Sequence, residues 1–300
     1  MRRQLLHFFC LALCFLARAG AEELPAYVLG AEKFGDGRFW LVTKDGGSPS
    51  YVLGTIHVAD PKLTELSLAE RRAIESARVV VTEIALDMAT ALAAAQRMFA
   101  PDGPGLDKQV EAARYRKLVK ILRERGVPEP LARRLKPWAA LVTAAMPKPD
   151  GVPFDAQLYE GARQRGQTVA GLETVDEQIG VLDSIPIDEQ IQLLDEAIDH
   201  FDVIEGMINK MMRVYAGGNL SELLLLQAND GIERDAAARR RNEAFLDALL
   251  IKRNRRMADR MQAHFGQGNA FVAIGALHLP GEFGVLNLLK RAGYQIERGN

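Results

Sequence analysis

The sequence predicts an α/β fold in which a central mixed sheet carries a large helical insertion and two strand-Gly-x-x-His units meet at one site. Three observations support this prediction. Apolar, β-prone runs of strand length lie near both ends of the chain. The segment between them, at about 88–260, is rich in Ala, Leu, Arg and Glu, which favours helices. Two of the apolar runs close with Gly-x-x-His, at His57 and His278.

Residues 1–21 predict a secretory signal peptide. A pair of arginines precedes a mostly apolar run at 5–16, and small residues suitable for cleavage after Ala19 or Ala21 follow it. The apolar run is short for a membrane span, although an uncleaved leader would anchor the protein. Both cysteines lie in this leader, so no disulfide or cysteine nucleophile is expected beyond it. The sequence therefore predicts a periplasmic or secreted protein with no stable membrane span after the leader is removed.

The elements that follow the leader are predicted in order along the chain. Two β-prone runs, 38–43 and 50–56, flank a Gly-rich loop and predict a hairpin. A helix at 63–76 leads to a third strand at 78–84, whose nearly continuous apolar run is typical of a strand that is covered on both faces.

Helices are then predicted across most of the middle segment, with one short strand at 168–172. A buried strand at 270–277, a helix at 284–292 and a last strand at 294–297 complete the chain. No repeat, low-complexity tract or Pro-rich linker divides it. We therefore predict that residues 22–300 form a single domain with one helical insertion.

Composition and charge narrow the class of protein. Of the 300 residues, 48% are hydrophobic and 26% are charged, as in globular proteins with a substantial core. The formal net charge is -1, so the chain has no overall positive charge with which to hold nucleic acid. The charge therefore predicts no nucleic-acid partner, and the expectation of a peptide or small-molecule substrate comes from the candidate site residues described next. The sequence gives no indication of the oligomeric state.

Two histidines and one glutamate are the strongest candidates for chemistry. His57 and His278 follow buried strands, and open α/β sheets bind ligands at the carboxyl ends of their strands. Gly54 and Gly275, three residues before each histidine, would let another backbone or a ligand approach closely. Glu83 ends an otherwise uncharged run, and a carboxylate is expensive to bury unless a cation or strong donors meet it.

These three side chains permit more than one interpretation. A structural hydrogen bond would explain either histidine alone, and an ion pair with an arginine would explain Glu83. Together, the three predict a metal site with two imidazoles and one carboxylate, which leaves coordination positions for water and substrate. Water bound to such an ion loses a proton near neutral pH and attacks a carbonyl. The sequence has no local HExxH helix, so the fold must assemble this site.

Several short motifs also point to a known family. They are Gly54-Thr55-Ile56-His57, Glu83, Gly171-Leu172-Glu173-Thr174 with Gln178, Arg253-Asn254, and Gly275-Ala276-Leu277-His278-Leu279-Pro280-Gly281 followed by Gly284-Val285. In this order, from about Phe39 to Glu297, they resemble the TraB/GumN family, which includes the animal Tiki proteases. The resemblance implies a fold similar to the erythromycin-esterase and ChaN-like group, with both Gly-x-x-His motifs at the active site.

The resemblance also implies roles for individual residues. Because Tiki proteins are described as metalloproteases that depend on manganese or cobalt, it makes His57, Glu83 and His278 the expected metal ligands; zinc also suits these donors. It makes Glu173 a candidate orienting or fourth carboxylate. Arg253 is expected to contact a substrate carboxylate or an acid of the site, because a guanidinium can hold a carboxylate through two hydrogen bonds.

The leading hypothesis is an exported hydrolase that depends on a divalent metal and cleaves an amide or ester bond in the manner of a peptidase. A second hypothesis keeps the hydrolase without the metal: one histidine is the general base, and Glu83 fixes its tautomer. A third hypothesis is a periplasmic binding or regulatory protein that keeps the site without turnover.

Overall fold

The computed structural model describes residues 25–44, 46–100, 102–148, 151–228 and 235–299. The predicted signal peptide lies outside these described residues.

Six strands form one mixed sheet in the described part of the chain. They are β1 (Phe39–Thr43), β2 (Ser50–Thr55), β3 (Val79–Ile84), β4 (Thr168–Glu173), β5 (Ala270–Gly275) and β6 (Gln295–Arg298). Their order across the sheet is β4-β3-β5-β2-β1-β6. The four strands β4, β3, β5 and β2 are parallel, whereas β1 is antiparallel to both β2 and β6. The predicted hairpin, the later strands and the mixed α/β sheet are confirmed.

The two central strands are buried along their whole length. Every residue of β3 and β5 is buried, as their continuous apolar runs predict. Successive side chains point to opposite faces, so Val79 and Val81 enter one core cluster and Val80 enters another. A strand with one exposed face would show an alternating pattern of apolar and polar residues. The continuous apolar pattern of β3 and β5 instead reflects helices that pack on both faces of the sheet.

Helices occupy most of the remaining chain, and the predicted helical insertion is confirmed. The helices are α1 (Pro61–Thr64), α2 (Leu68–Ser76), α3 (Met88–Arg97), α4 (Leu106–Gln109), α5 (Ala112–Glu124), α6 (Glu129–Ala132), α7 (Pro137–Ala145), α8 (Phe154–Gln164), α9 (Val175–Asp183), α10 (Ile187–Asp199), α11 (Phe201–Ala216), α12 (Leu220–Leu225), α13 (Ala236–Asp247), α14 (Arg253–Gly266) and α15 (Val285–Arg291). In the described residues, none of them has the length and hydropathy of a helix that crosses a membrane.

The helical insertion has a core of its own, separate from the two cores that cover the sheet. Its central helix is α7, which is buried at all nine positions from Pro137 to Ala145 and packs against α10. A helix that is apolar on every side requires neighbours on every side, and α5, α10 and α11 provide them. The insertion therefore lies beside the sheet as a packed unit, and a cleft lies between the insertion core and the sheet core.

Candidate active site

The carboxyl ends of three parallel strands bring the predicted residues to one edge of the sheet. Strands β2 and β5 are neighbours, with Thr55 paired to Gly275, so the two Gly-x-x-His segments leave the sheet side by side. His57 follows β2, and His278 ends a 3-10 turn directly after β5. Glu83 comes from β3, on the other side of β5. Strand order alone therefore places all three residues at one end of β5.

Gly275 lies at the point where the three side chains converge. A methyl group at this position would lie 3.1 Å from Glu83 Oε1, 3.5 Å from His57 Nε2 and 3.5 Å from His278 Cδ2. Glu83 Oε1 also lies 3.8 Å from His278 Nε2. The other glycine, Gly54, lets the turn after β5 pack directly against β2, because a Cβ there would approach the Cα of Ala276 to 3.1 Å. Both glycines allow the close approach that the sequence predicts.

Arg253 joins the two predicted glutamates. Its Nη2 donates to Glu83 Oε2 at 2.5 Å and to Glu173 Oε2 at 2.8 Å, while its Nε donates to the same Glu173 oxygen at 2.9 Å. Glu173 ends β4, the strand next to β3, so both carboxylates lie at the same sheet edge. All three residues are at most 5% exposed, and such charges remain buried only when they are paired and hydrogen-bonded. The ion pair expected for Glu83 and the contact of Arg253 with site acids are both present.

Three further donors complete the carboxylate network. The Gln178 side-chain amide donates to Glu83 Oε2 at 3.0 Å and to Glu173 Oε2 at 3.2 Å. The backbone N–H of Gly275 donates to Glu83 Oε1 at 2.8 Å, and Arg256 Nη1 donates to Glu173 Oε1 at 2.9 Å. Every oxygen of both carboxylates therefore accepts at least one hydrogen bond, which fixes the orientation of Glu83 beside the histidines.

His57 is held by an acid that the sequence does not single out. Its Nδ1 lies in close contact with Asp155 Oδ2, and the other oxygen of Asp155 accepts a hydrogen bond from the Thr55 hydroxyl. Asp155 lies in the first turn of α8 and is 8% exposed. A carboxylate beside Nδ1 favours the tautomer that carries its proton there, which leaves the lone pair on Nε2, 3.5 Å from the position of a Cβ at Gly275.

His278 is oriented in a similar way by an amide. Its Nδ1 lies 2.6 Å from Asn254 Oδ1, and the Asn254 Nδ2 donates to the Phe283 carbonyl at 2.9 Å. The second bond identifies the amide oxygen as the atom that faces the ring, so His278 donates through Nδ1–H and presents the lone pair of Nε2. Burial lowers the pKa of His278 to about 3, against the raising effect of Glu83. The imidazole is therefore neutral near pH 7.

A π-helical turn positions the residues that hold this centre. Residues Ala248–Lys252 form the turn, and α14 begins directly after it with Arg253 and Asn254. A π turn shifts the helix face that side chains occupy, and such turns are frequent at functional sites. Both buried side chains consequently point to the sheet edge, Arg253 to the carboxylates and Asn254 to His278.

The donor chemistry of the centre suits a divalent ion, but its geometry is not that of a ready metal site. Two imidazole Nε2 atoms and a carboxylate oxygen are suitable ligands, and each Nδ1 has a side-chain oxygen beside it, of Asp155 or of Asn254, as a ligating histidine usually has. Within the described residues, however, no three His, Cys, Asp or Glu side chains lie together as a metal-binding group. The role of His57, Glu83 and His278 as ligands stays a prediction.

The structure thus brings all five predicted site residues to one edge of the sheet and adds others that sequence reasoning missed. Asp155 was missed because an acid in the first turn of a helix is ordinary. Gln178 and Asn254 were noticed only as parts of familial motifs, without a role. Arg256 had no signal beyond its place in a basic stretch. Each acts on a partner at least 24 residues away along the chain, with the exception of the bond from Gln178 to Glu173.

These features define an α/β protein in which two Gly-x-x-His strand ends meet a carboxylate–arginine network. The sequence model of the TraB/PrgY/gumN family matches residues 38–298, which include the whole sheet and all the site residues described above. The chain belongs to this family.

Distant relatives extend over most of the chain. The protein YbaP of Escherichia coli (strain K12) is 24% identical over 255 residues, which cover 83% of this chain and 90% of YbaP. The metalloprotease TIKI homolog of Nematostella vectensis is 23% identical over 313 residues, and metalloprotease TIKI1 of Homo sapiens is 22% identical over 309 residues. Each of the last two alignments covers 86% of this chain, but only 66% and 61% of the respective relative. No solved structure matches the chain.

Proposed function

We propose that the chain is a hydrolase of amide or ester bonds and that its reaction takes place between His57 and His278. The Asp155–His57 pair is the observation that carries this proposal. It presents a lone pair of His57 Nε2 to a cleft at the end of the sheet, next to Glu83 and its bound arginine. The metalloprotease names of the TIKI relatives support the same reaction class.

The reaction follows from the positions of the protein's own groups. His57 Nε2 accepts a proton from water as the water oxygen attacks the carbonyl carbon of the substrate. Asp155 stabilises the resulting imidazolium, and the proton then passes to the departing nitrogen or oxygen as its bond to the carbonyl carbon breaks. Arg253 contributes positive charge at the cleft, where negative charge develops on the carbonyl oxygen. Asp155, which lies beside His57 Nδ1, takes the tautomer-fixing role that the metal-free hypothesis gave to Glu83.

A divalent-metal version of this hydrolase is the second candidate. The Nε2 lone pairs of His57 and His278, together with Glu83 Oε1, would hold the ion, with manganese or cobalt suggested by family resemblance and zinc also suited to the donors. When bound, such an ion would supply Lewis-acid polarisation of the carbonyl group. Glu173 would then orient the site through Arg253 and Gln178, with which it already makes hydrogen bonds.

One experiment separates these versions. Wild type, His57→Ala and Asp155→Asn are treated with a chelator and assayed on ester and peptide substrates. Each assay is repeated after manganese, cobalt or zinc is added. Hydrolysis that resists the chelator and falls about a hundredfold or more in Asp155→Asn indicates the histidine base. Hydrolysis that requires added ion indicates the metal version. If wild type and His57→Ala are equally inactive on all substrates, both hydrolase versions are contradicted. That result would favour a binding or regulatory protein.

Export is the part of the proposal that depends on the predicted leader. A signal peptide cleaved after Ala19 or Ala21 would place the hydrolase in the periplasm or the medium. Mass spectrometry of the protein recovered from each cell fraction tests this location. An intact N-terminus in the membrane fraction would instead indicate an anchored protein.

A further inference from the structure

The cleft between the sheet and the helical insertion continues from the candidate active site as a small cavity. Its volume is about 100 Å³. A cavity of roughly 150 Å³ with aliphatic and aromatic walls holds one benzene ring. The space therefore accepts a single group of about the size of a branched aliphatic side chain, and it excludes a long chain.

The walls of this cavity are apolar on the side of the helical insertion. Five helices contribute side chains to them, which include Ala94 of α3, Val142 of α7, Leu182 of α9, Met212 of α11 and Phe245 of α13. Hydrocarbon walls favour a hydrocarbon group, because the contact removes apolar surface from water. The cavity therefore selects an apolar group.

The cationic side chain at the sheet end is already paired. Of the described side chains that line the cavity, Arg253 alone carries a permanent charge. Its guanidinium is held by Glu83 and Glu173, so it is not available to pair with a charged ligand. The hydroxyl groups of Thr55 and Tyr215 are also engaged in hydrogen bonds within the protein. The group that enters the cavity is therefore uncharged.

Gln178 supplies a hydrogen-bond acceptor at the sheet end of the same cavity. Its amide nitrogen donates to Glu83 and Glu173, which fixes the amide, because a flipped amide would place its oxygen against theirs. The side chain is 4% exposed, and its Oε1 is buried and accepts no hydrogen bond from the described part of the chain. A buried acceptor without a partner is unfavourable. This oxygen therefore favours a ligand that brings an N–H or O–H donor.

We propose that the cavity holds the apolar side chain of one N-acylated amino-acid residue, whose N–H donates to Gln178 Oε1 and whose carbonyl carbon lies beside His57. In such a residue the side chain, the N–H and the carbonyl group all branch from one α-carbon. The cavity volume makes this residue one of the size of valine or leucine. Its assignment to the acyl side of the cleaved bond rests on the proposed hydrolytic function. Its binding does not, so the two can be tested separately.

The p-nitrophenyl esters of N-acetyl amino acids test the side chain. We divide kcat/KM by the rate constant of spontaneous hydrolysis of each ester. From glycine through alanine to leucine, this ratio should rise about fourfold for each methylene that is buried. The aspartate and lysine esters should not exceed the glycine ester, because their charges would lose water without a partner. Equal ratios across the series would overturn the inference and leave the hydrolase.

Two methionines of α11 provide a matched pair of variants. Met212 lines the cavity, whereas Met207 is partly buried on the same helix and packs against the sheet core. Met212→Ala enlarges the cavity and should raise the preference for the phenylalanine ester over the leucine ester about tenfold. Met207→Ala should leave this preference unchanged. If thermal melting shows that Met212→Ala does not fold, Leu182→Ala takes its place. An unchanged preference in the folded variant that enlarges the cavity would contradict the inference.

A second pair of esters tests the acceptor. The 2-acetoxy-4-methylpentanoyl ester matches the N-acetyl-leucine ester but has an oxygen in place of the N–H. Wild type should prefer the N-acetyl-leucine ester about fivefold or more, because its counterpart leaves Gln178 Oε1 without a donor. Gln178→Met should lose this preference and retain that for leucine over glycine. Equal reaction of the two esters in wild type would contradict the bond to Gln178.

Binding without turnover separates the cavity from the hydrolase. N-acetyl-leucinol lacks the carbonyl group that would be attacked, and N-acetylethanolamine also lacks the side chain. Trp138 lines the cavity, so its fluorescence in Trp40→Phe, where it is the remaining tryptophan, reports occupancy. N-acetyl-leucinol should bind saturably and at least about tenfold more tightly than N-acetylethanolamine. Such binding with no hydrolysis of any ester supports the cavity assignment and contradicts the proposed function. Equal affinity for the two alcohols overturns the assignment.

Discussion

Gly275 is the residue on which the candidate active site converges most closely. Its backbone has φ -53°, which any amino acid adopts, so an alanine there would be unstrained. The new methyl group would nevertheless lie between Glu83, His57 and His278, at 3.1–3.5 Å from each. We therefore expect Gly275→Ala to reduce kcat/KM at least about tenfold while it changes the free energy of unfolding by less than about 1 kcal/mol.

Gly180→Ala is the matched control for this substitution. Gly180 lies inside α9, where a Cβ would meet no atom within 4 Å, so the substitution should keep full activity. Steady-state kinetics and thermal melting of both variants are the measurements. Equal activity of the two variants would show that the space around Gly275 is not where the reaction occurs.

The residues of the site differ in how far the sequence could predict them. His57 and His278 were predictable because each ends a Gly-x-x-His segment after an apolar run, and Glu83 because it is the charge that ends such a run. Asp155 could not be predicted in the same way, since its contact with His57 spans 98 positions along the chain. A carboxylate reveals its partner only once the fold brings α8 to the end of β2.

At the scale of elements, α9 and α14 together hold the carboxylates. Thr174 caps α9 directly after Glu173, and its capping box is completed by Glu177. Glu177 also accepts hydrogen bonds from Arg260 of α14 at 2.6 and 2.7 Å. Hydrogen bonds from Arg260 lower the pKa of Glu177 to about 2, although partial burial opposes this. The pair joins the helix that carries Gln178 to the helix that begins with Arg253.

The depressed pKa predicts a pH-dependent loss of stability in Glu177→Gln. Because the folded pKa lies below that of the unfolded chain, ionised Glu177 stabilises the fold above about pH 4.5, and this contribution is lost as the pH falls towards 2. The pair is partly exposed, so we expect Glu177→Gln to lower the free energy of unfolding at pH 7 by only about 1 kcal/mol. Urea unfolding at pH 7 and near pH 3 should show this difference shrinking.

Glu160→Gln provides the comparison, because Glu160 forms an exposed pair with Arg163 on α8 and has no cap role. It should alter the free energy of unfolding by less than about 0.5 kcal/mol at either pH. A deficit in Glu177→Gln that stays constant between the two pH values would show that ionisation of Glu177 does not stabilise the fold.

The strands themselves were easier to predict than their order. The apolar runs at 78–84 and 270–277 indicated buried strands, and both are present as β3 and β5. Their sequence order does not reveal that β5 inserts between β2 and β3. Parallel strands are joined by long crossover connections, so neighbours in the sheet need not be neighbours in the sequence. The similarity of the two Gly-x-x-His segments was the one sequence signal for this pairing, and the register of β2 on β5 confirms it.

At the scale of the whole molecule, the helical insertion has a core beside that of the sheet, Met212 packs against both, and the cleft lies between them. The site therefore needs a link that fixes one part relative to the other. Tyr215 of α11 is such a link, because it is fully buried and donates to the carbonyl of Gly54, at the start of the first Gly-x-x-His segment. Arg38, directly before β1, donates in turn to the Tyr215 hydroxyl at 3.1 Å.

Arg38 connects the sheet to α1 and α2 on one side and to α11 on the other through five hydrogen bonds. Besides the Tyr215 hydroxyl, its guanidinium bonds both oxygens of Glu70 at 2.9 Å and the carbonyls of Leu63 and Glu65 at 2.8 and 2.7 Å.

A lysine has the charge but only three donors on one nitrogen, so it cannot reach all of these acceptors. Arg38→Lys should therefore lower the free energy of unfolding by about 2–4 kcal/mol. Urea unfolding measures this loss, with Arg163→Lys on the exposed face of α8 as the control. If the two variants lose the same stability, the guanidinium fork of Arg38 is not what holds the cleft-forming parts together.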